Sequence, residues 1–265
     1  MEEVVGMKSI RSFIKIVDHQ TFIVMALAII STYLCGKFHF VADMPSGLIG
    51  IAIIFPIVFS INAAYRRREE ALRYFASLKA HAVALFYAHR DWTPSKDNED
   101  RERIIGIINR LLTNMRDYFL MFDEKGNNQL HNVYKVFSEI SKSHETLREK
   151  NVPANEISRA NQYLRSIVIE FERMRNILRY RTPISLRAYS HIFLNAFPVL
   201  YGPYFAQLSA KFSPVAGYLI AILYSLVLVS LDNIQEDIEN PYDALGEDDL
   251  DLDVAEEYIQ LMERT

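Results

Sequence analysis

Residues 44–68 read Met-Pro-Ser-Gly-Leu-Ile-Gly-Ile-Ala-Ile-Ile-Phe-Pro-Ile-Val-Phe-Ser-Ile-Asn-Ala-Ala-Tyr-Arg-Arg-Arg. The stretch 44–65 carries no charge and then meets three arginines in succession. A helix needs about 20 apolar residues to cross the hydrocarbon core of a bilayer. Three more blocks are free of charge: 20–36, 192–210 and 212–231. A buried helix of a soluble protein accounts for one such block, but not for four arranged as two close pairs. The first block lacks the small-residue cleavage pattern of a signal peptide and is followed almost at once by the second, so it reads as a mature span.

Charge sets the expected orientation. Lys8, Arg11 and Lys15 precede the first block, Arg66, Arg67 and Arg68 follow the second, and Arg175, Arg179, Arg181 and Arg187 lead into the third. The connectors 37–44 and 207–213 hold few charges. Positive residues mark the cytoplasmic side, so both termini and the long middle region 66–191 are expected in the cytoplasm, with the chain a multi-pass protein of a cell or inner membrane. Net charge is −4, yet from Asp232 onward there are thirteen acidic residues and one basic residue, Arg264. The rest of the chain therefore carries +8. Such a tail either folds back on a basic body, binds cations, or is simply solvated.

The middle region is polar but periodic. Leu72, Phe75, Leu78 and Ala82 recur at helical spacing, as do Ile104, Ile108, Leu111, Met115 and Phe119; Leu130, Tyr134, Phe137 and Ile140; and Tyr163, Ile167, Phe171, Met174 and Leu178. These spacings predict amphipathic helices. Breaks rich in Pro, Gly, Asn and Asp fall at 93–100 and 123–128, Pro153 introduces the last long helix, and nothing interrupts Tyr65–Trp92. The expected fold is all-α: four transmembrane helices continuing into a cytoplasmic helical bundle, one domain over 1–265, with an acidic C-terminal segment 232–265. No phosphate loop, paired-cysteine metal site or nucleophile motif is present. Cys35 is the only cysteine, and His191 at the mouth of the third span suits a capping or interfacial role. The chain reads as neither an enzyme nor a nucleic-acid binder.

Three stretches together resemble the bestrophin family of pentameric ion channels, especially its bacterial branch. They are Gly50–Arg66 with Glu69, Glu70 and Ala71 behind it; Arg181-Thr-Pro-Ile-Ser-Leu-Arg-Ala-Tyr189; and Ser230-Leu-Asp-Asn-Ile-Gln-Glu-Asp-Ile-Glu-Asn-Pro-Tyr242 with the acidic run to Asp253. The last is the most specific, since bestrophins end their fourth span in an acidic helix, an Asn-Pro or Asp-Pro turn and an acidic stretch. Two departures stand out. Val58-Phe59 replaces the usual Gly-Phe, and leucines interrupt the acids after Pro241.

The resemblance implies a homo-pentamer in lipid that conducts monovalent anions, chloride above all. A cation-conducting bacterial-type channel and a non-conducting membrane scaffold are the alternatives. It places the pore neck at Ile51, Phe55 and Phe59, which share a helix face at i, i+4, i+8 and serve otherwise as helix-packing surface. Asn62 falls below the neck. Pro56 should bend the span. Ile157 matches the cytoplasmic aperture, or else packs at its helix start. Calcium is the cofactor to consider. Asp248 and Asp251 match the clasp of animal bestrophins, with the carbonyls of Gln235 and Asn240 as helpers. Against calcium, Leu250 and Leu252 alternate with the acids, which suits a segment that buries leucines and exposes aspartates to arginine partners.

Overall fold

The computed structural model describes residues 16–43, 46–93, 98–122, 128–180, 184–246 and 248–265. Several features of the sequence reading lie outside these residues: Lys8, Arg11 and Lys15, the Arg181–Pro183 lead-in, residues 94–97 and 123–127 of the two breaks, and Glu247. Among the described residues the chain is helical, without strands. The helices are α1 (His19–Lys37), α2 (Ser46–Asp91), α3 (Asn98–Leu120), α4 (Asn128–Glu149), α5 (Ala154–Arg179), α6 (Ile184–Leu200), α7 (Gly202–Lys211), α8 (Ala216–Glu239) and α9 (Ala255–Arg264). They fall into two compact units, one of residues 1–66 and 182–239, the other of 67–181 and 240–265. Helix α2 contributes to both. It runs unbroken for 46 residues through Pro56, a length of about 70 Å at about 1.5 Å per residue.

In the first unit, α1 and α8 are each long and apolar enough to cross a bilayer. Helix α1 starts where the Asp18 carboxylate accepts the Thr21 backbone N–H at 2.9 Å. It buries only a narrow stripe, Thr21, Val24, Ala28 and Thr32. Phe22, Ile23, Leu27, Ile30 and Tyr33 remain exposed. A helix apolar on every side with one thin buried stripe suits hydrocarbon rather than water. The core of the unit gathers Ala28, Ile57, Leu194, Phe197, Tyr201, Phe205, Ala221 and Leu228.

The block 192–210, expected as one span, is two helices that meet at Tyr201. Gly202-Pro203 opens the second, because proline suits a first helical turn and not an interior. The ladder persists on one side of the bend, with Tyr201 N–H donating to Phe197 O and Phe205 N–H to Tyr201 O, both at 3.0 Å. On the other side Pro203 has no N–H to give the Val199 carbonyl four residues back. The Ser31 hydroxyl of α1 donates to that carbonyl instead, at 2.7 Å. Gly202 makes the approach possible, since a β-carbon there would overlap Ser31 Oγ. Gly217 does the same between α7 and α8, where a β-carbon would strike the Phe205 carbonyl. Helix α8 begins at Ala216, four residues later than the charge-free block, and continues through the acidic segment to Glu239.

The second unit has a conventional apolar core. Ile104, Ile108, Leu111, Met115 and Phe119 are all buried, as are Ile167, Phe171, Met174 and Leu178. Two positions of the predicted stripes turn outward: Leu72 is exposed beside buried Ala71, and Tyr134 beside buried Val133. In each case other positions of the stripe are buried, Phe75, Leu78 and Ala82 in one and Phe137 and Ile140 in the other, and the single position is taken by its neighbour, about 100° round the helix. The chain's last segment joins this core. Tyr242 is fully buried, its ring 4.6 Å from that of Phe119 and its hydroxyl donating to Met174 O at 3.3 Å.

The same core holds two stacked imidazoles, His89 and His144, 5.9 Å apart. Asn161 Nδ2 donates to Ile157 O at 3.1 Å, which turns its Oδ1 toward His144 Nδ1 at 3.0 Å. Nδ1 therefore carries the hydrogen in this network, and His144 Nε2 is buried without a partner. Burial, together with the neighbouring His144, lowers His89 from 6.5 to about 4.

Two outcomes follow from this packing. Ser31→Ala strips the bend of its substitute donor and should lower stability by about 1–2 kcal/mol, seen as a reduced thermal midpoint in detergent, whereas Ser31→Thr should retain most of it. For His89 the unfolded chain takes up the proton first. Its stabilisation is complete above pH 6.5 and lost as pH falls toward about 4, a change of roughly 3 kcal/mol. His89→Gln should flatten that acid limb in a pH series of unfolding midpoints.

Candidate functional site

Within the first unit, α2 presents one unpartnered apolar face. Ile51, Phe55 and Phe59 are 64%, 60% and 56% exposed. Ile54 and Val58 lie beside them, also exposed, and Asn62 continues the same face. The opposite side of the helix buries Gly50, Ile57, Ser60 and Ala64. Spacings of three and four residues make the exposed positions one continuous stripe, wide enough to mark an interaction or membrane surface rather than scattered apolar residues. The Phe55 and Phe59 rings meet edge to face, centroids 4.6 Å apart at 81°, the edge of one ring against the face of the other. Pro56 neither ends nor interrupts the helix.

Ile157 is buried in the apolar core of the second unit and lines, with Arg148, Asn151, Ser158 and Asn161, a polar cleft of about 500 Å³. Gln235 is a buried side chain of the first unit whose amide atoms have no partner.

Asn240, Asp248 and Asp251 belong to the C-terminal segment of the second unit. Asn240 Nδ2 donates to Asp243 at 2.6 Å. The Asp248 carbonyl accepts from Arg68 Nε at 2.6 Å. The Asp251 carboxylate accepts the Asp253 N–H at 2.9 Å. Among the described residues no three acidic, histidine or cysteine side chains converge as metal ligands. Calcium takes six to eight oxygens; here Asp248 and Asp251 are exposed, and the Asp251 carboxylate is engaged within its own turn. The segment alternates instead. Leu250, Leu252 and Val254 are buried, while Asp251 and Asp253 face outward. Asp253 pairs with Arg116 at 2.8 Å. Arg101 holds the end of α9 through the Met262 and Glu263 carbonyls at 3.2 and 2.5 Å. Lys79 lies over the Phe75 and Tyr258 rings at 4.6 and 5.1 Å.

Sequence reasoning missed a polar joint in the first unit. Arg187, His191 and Asn195 stand at i, i+4, i+8 on α6. Arg187 Nη2 donates to Glu239 of α8 at 2.9 Å, His191 Nδ1 lies 3.3 Å from Asp232 Oδ2, and Asn195 Oδ1 accepts from Gln20 of α1 at 3.0 Å. The signal was present as matched polar stripes, with Asp232 and Glu239 seven residues apart on the partner helix.

No family model and no curated protein matches the chain. Solved structures do. A bacterial bestrophin homologue from Klebsiella pneumoniae superposes with a TM-score of 0.76 at 15% identity, covering 92% of this chain and 95% of that one. Two substituted forms of a bestrophin homologue from the same organism give TM-scores of 0.76 and 0.75 at 16% identity, each over 92% of this chain and 95% of the other. The chain has the fold of these bacterial bestrophin homologues.

The C-terminal turn titrates near neutrality. Burial and a bond to the Asp243 carboxyl push Asp249 up from 3.8 to about 6. A raised folded value stabilises the turn fully below pH 3.8 and loses that stabilisation as pH rises through about 6, opposite in sign to His89. Asp249→Asn should make the turn's hydrogen-exchange protection independent of pH over that window. Calcium added to millimolar concentration should give no binding heat by calorimetry, in wild type or Asp251→Asn alike; tight binding lost in the variant would restore the cage.

Proposed function

We propose that a chain with this fold is one protomer of a homo-pentameric ion channel in a cell or inner membrane, with monovalent anions, chloride above all, as its preferred ions. The observation that carries the reading is the exposed face of α2. Among the described residues, an apolar stripe of Ile51, Phe55 and Phe59 has no partner within its own chain, and a closed ring of copies supplies one. Three stacked apolar rings then form a neck from which water withdraws, so that an ion crosses only when the neck is wetted. Phenylalanine ring edges are electropositive, so edges of Phe55 and Phe59 turned toward the conduction path favour an anion over a cation. Asn62, one turn nearer the arginines, meets ions below the neck.

Four crossings accompany this reading: α1, the first part of α2, the bent pair α6–α7, and α8, with both termini cytoplasmic. The bent pair crosses because Ser31 supplies the donor that Pro203 lacks, and irregular backbone is tolerated at membrane depth when protein satisfies it. The remaining apolar exposure of α1 and α8 meets lipid. The C-terminal segment is a structural clasp that needs no calcium, held by buried leucines and by Arg68, Arg101 and Arg116.

Flux from liposomes with reversal potentials tests the function. Replacing Ile51, Phe55 and Phe59 together by alanine should raise conductance several-fold and weaken gating, and Phe55→Leu alone should reduce anion preference. Unchanged currents in the triple variant would return the stripe to packing. A monomer or dimer by mass measurement in mild detergent would overturn the ring.

A further inference from the structure

We propose that His191 and Asp232 form a proton-set latch between α6 and α8, inside the first unit and separate from the α2 face. The Asp232 carboxylate is nearly buried, its side chain 7% exposed, and faces His191 Nδ1 at 3.3 Å. An ionised carboxylate withdrawn from water requires a counter-charge or strong hydrogen bonds. The imidazole supplies both when protonated and only a hydrogen bond when neutral. Histidine is the side chain whose charge changes in the neutral range, so the strength of this contact is set by pH.

A second pair beside it serves as an internal reference. Arg187, one turn before His191 on α6, pairs with Glu239 at 2.9 Å, the glutamate side chain being 5% exposed. Guanidinium keeps its charge throughout. Two basic groups on one helix thus meet two buried acids on the other, and only one of the two contacts responds to protons. Glu236 of α8 lies in the field of Asp232, His191, Arg187 and Glu239. From α1 the neighbouring groups are Gln20, bonded to Asn195, and the Asp18–His19 pair at 3.9 Å. From α7 the only charge is Lys211, at its far end. Asn195 Nδ2 also donates to the His191 carbonyl at 2.7 Å, so a change at His191 reaches the α1 contact one turn away. Loss of the proton loosens α6 from α8 at this level while Arg187–Glu239 holds the helix ends.

Hydrogen–deuterium exchange of the full chain in detergent tests this without requiring ion flux, so the latch and the channel reading stand or fall separately. Peptides from α6 and from the acidic end of α8 would be compared at about pH 6 and about pH 8.5, corrected for intrinsic rates, to bracket the imidazole range. Wild type should lose protection several-fold at the higher pH. His191→Lys, charged at both, should stay protected at both, and Arg187→Lys should keep the wild-type response. His191→Gln should be loosened at both; where it fails to fold, wild type and His191→Lys decide. Equal protection of wild type at the two values overturns the latch. So does a pH response that survives in His191→Lys, which would assign it to His19 or another group.

Discussion

Buried backbone amides have no water to turn to, and the first unit is arranged around that constraint. Each unpaired carbonyl there costs free energy on the scale of a lost hydrogen bond. The unit nevertheless carries Pro56 and Pro198 inside helices and Pro203 at a bend. The bend is the instructive case. Ser31 reaches across from α1 to the Val199 carbonyl that Pro203 leaves bare, and Gly202 clears the space for it to do so. The tight seam between α7 and α8 at Gly217 follows the same logic, with backbone set against backbone where a methyl group would not fit. Small residues and hydroxyls, rather than bulk, hold helices together when the surroundings are as apolar as the side chains.

The second unit obeys water instead. Its helices bury one face each around Phe119, Phe171 and Tyr242, and its charges are spent at the edges, on Arg116–Asp253 and Arg110–Glu139. The acidic tail is part of that core because every second residue of 250–254 is apolar. The alternation leaves its aspartates outside, where arginines of the α2 and α3 helices meet the segment. Surface pairs of this sort contribute little singly; the buried leucines and Tyr242 carry the attachment.

Much of this was legible in the chain. The unbroken run behind Tyr65 became a continuous α2, the apolar periods of α3 and α5 matched their buried faces, and the leucine–aspartate alternation predicted its own geometry. Other features were not. A charge-free block does not reveal whether it is one helix or two, and the split at Tyr201 depends on a serine 170 positions earlier. Leu72 and Tyr134 fit the helical period as well as Ala71 and Val133 do; only packing chooses between adjacent residues. The joint of α6 with α8 escaped because each polar residue was weighed alone. A histidine at a helix mouth has a dozen ordinary explanations until the carboxylate across from it is seen.

The hydrogen bond from Ser31 to Val199 also orders events in time. Helix α1 emerges from the ribosome long before α6 and α7. The later pair cannot pack with a bare carbonyl at its bend, whereas α1 is complete in itself. The first helix is therefore a template that must already be in place and turned with its hydroxyl inward when the bent pair arrives. Errors at Ser31 would then surface during biogenesis, as a bent pair that fails to dock on α1, before they surfaced as instability of the finished protein.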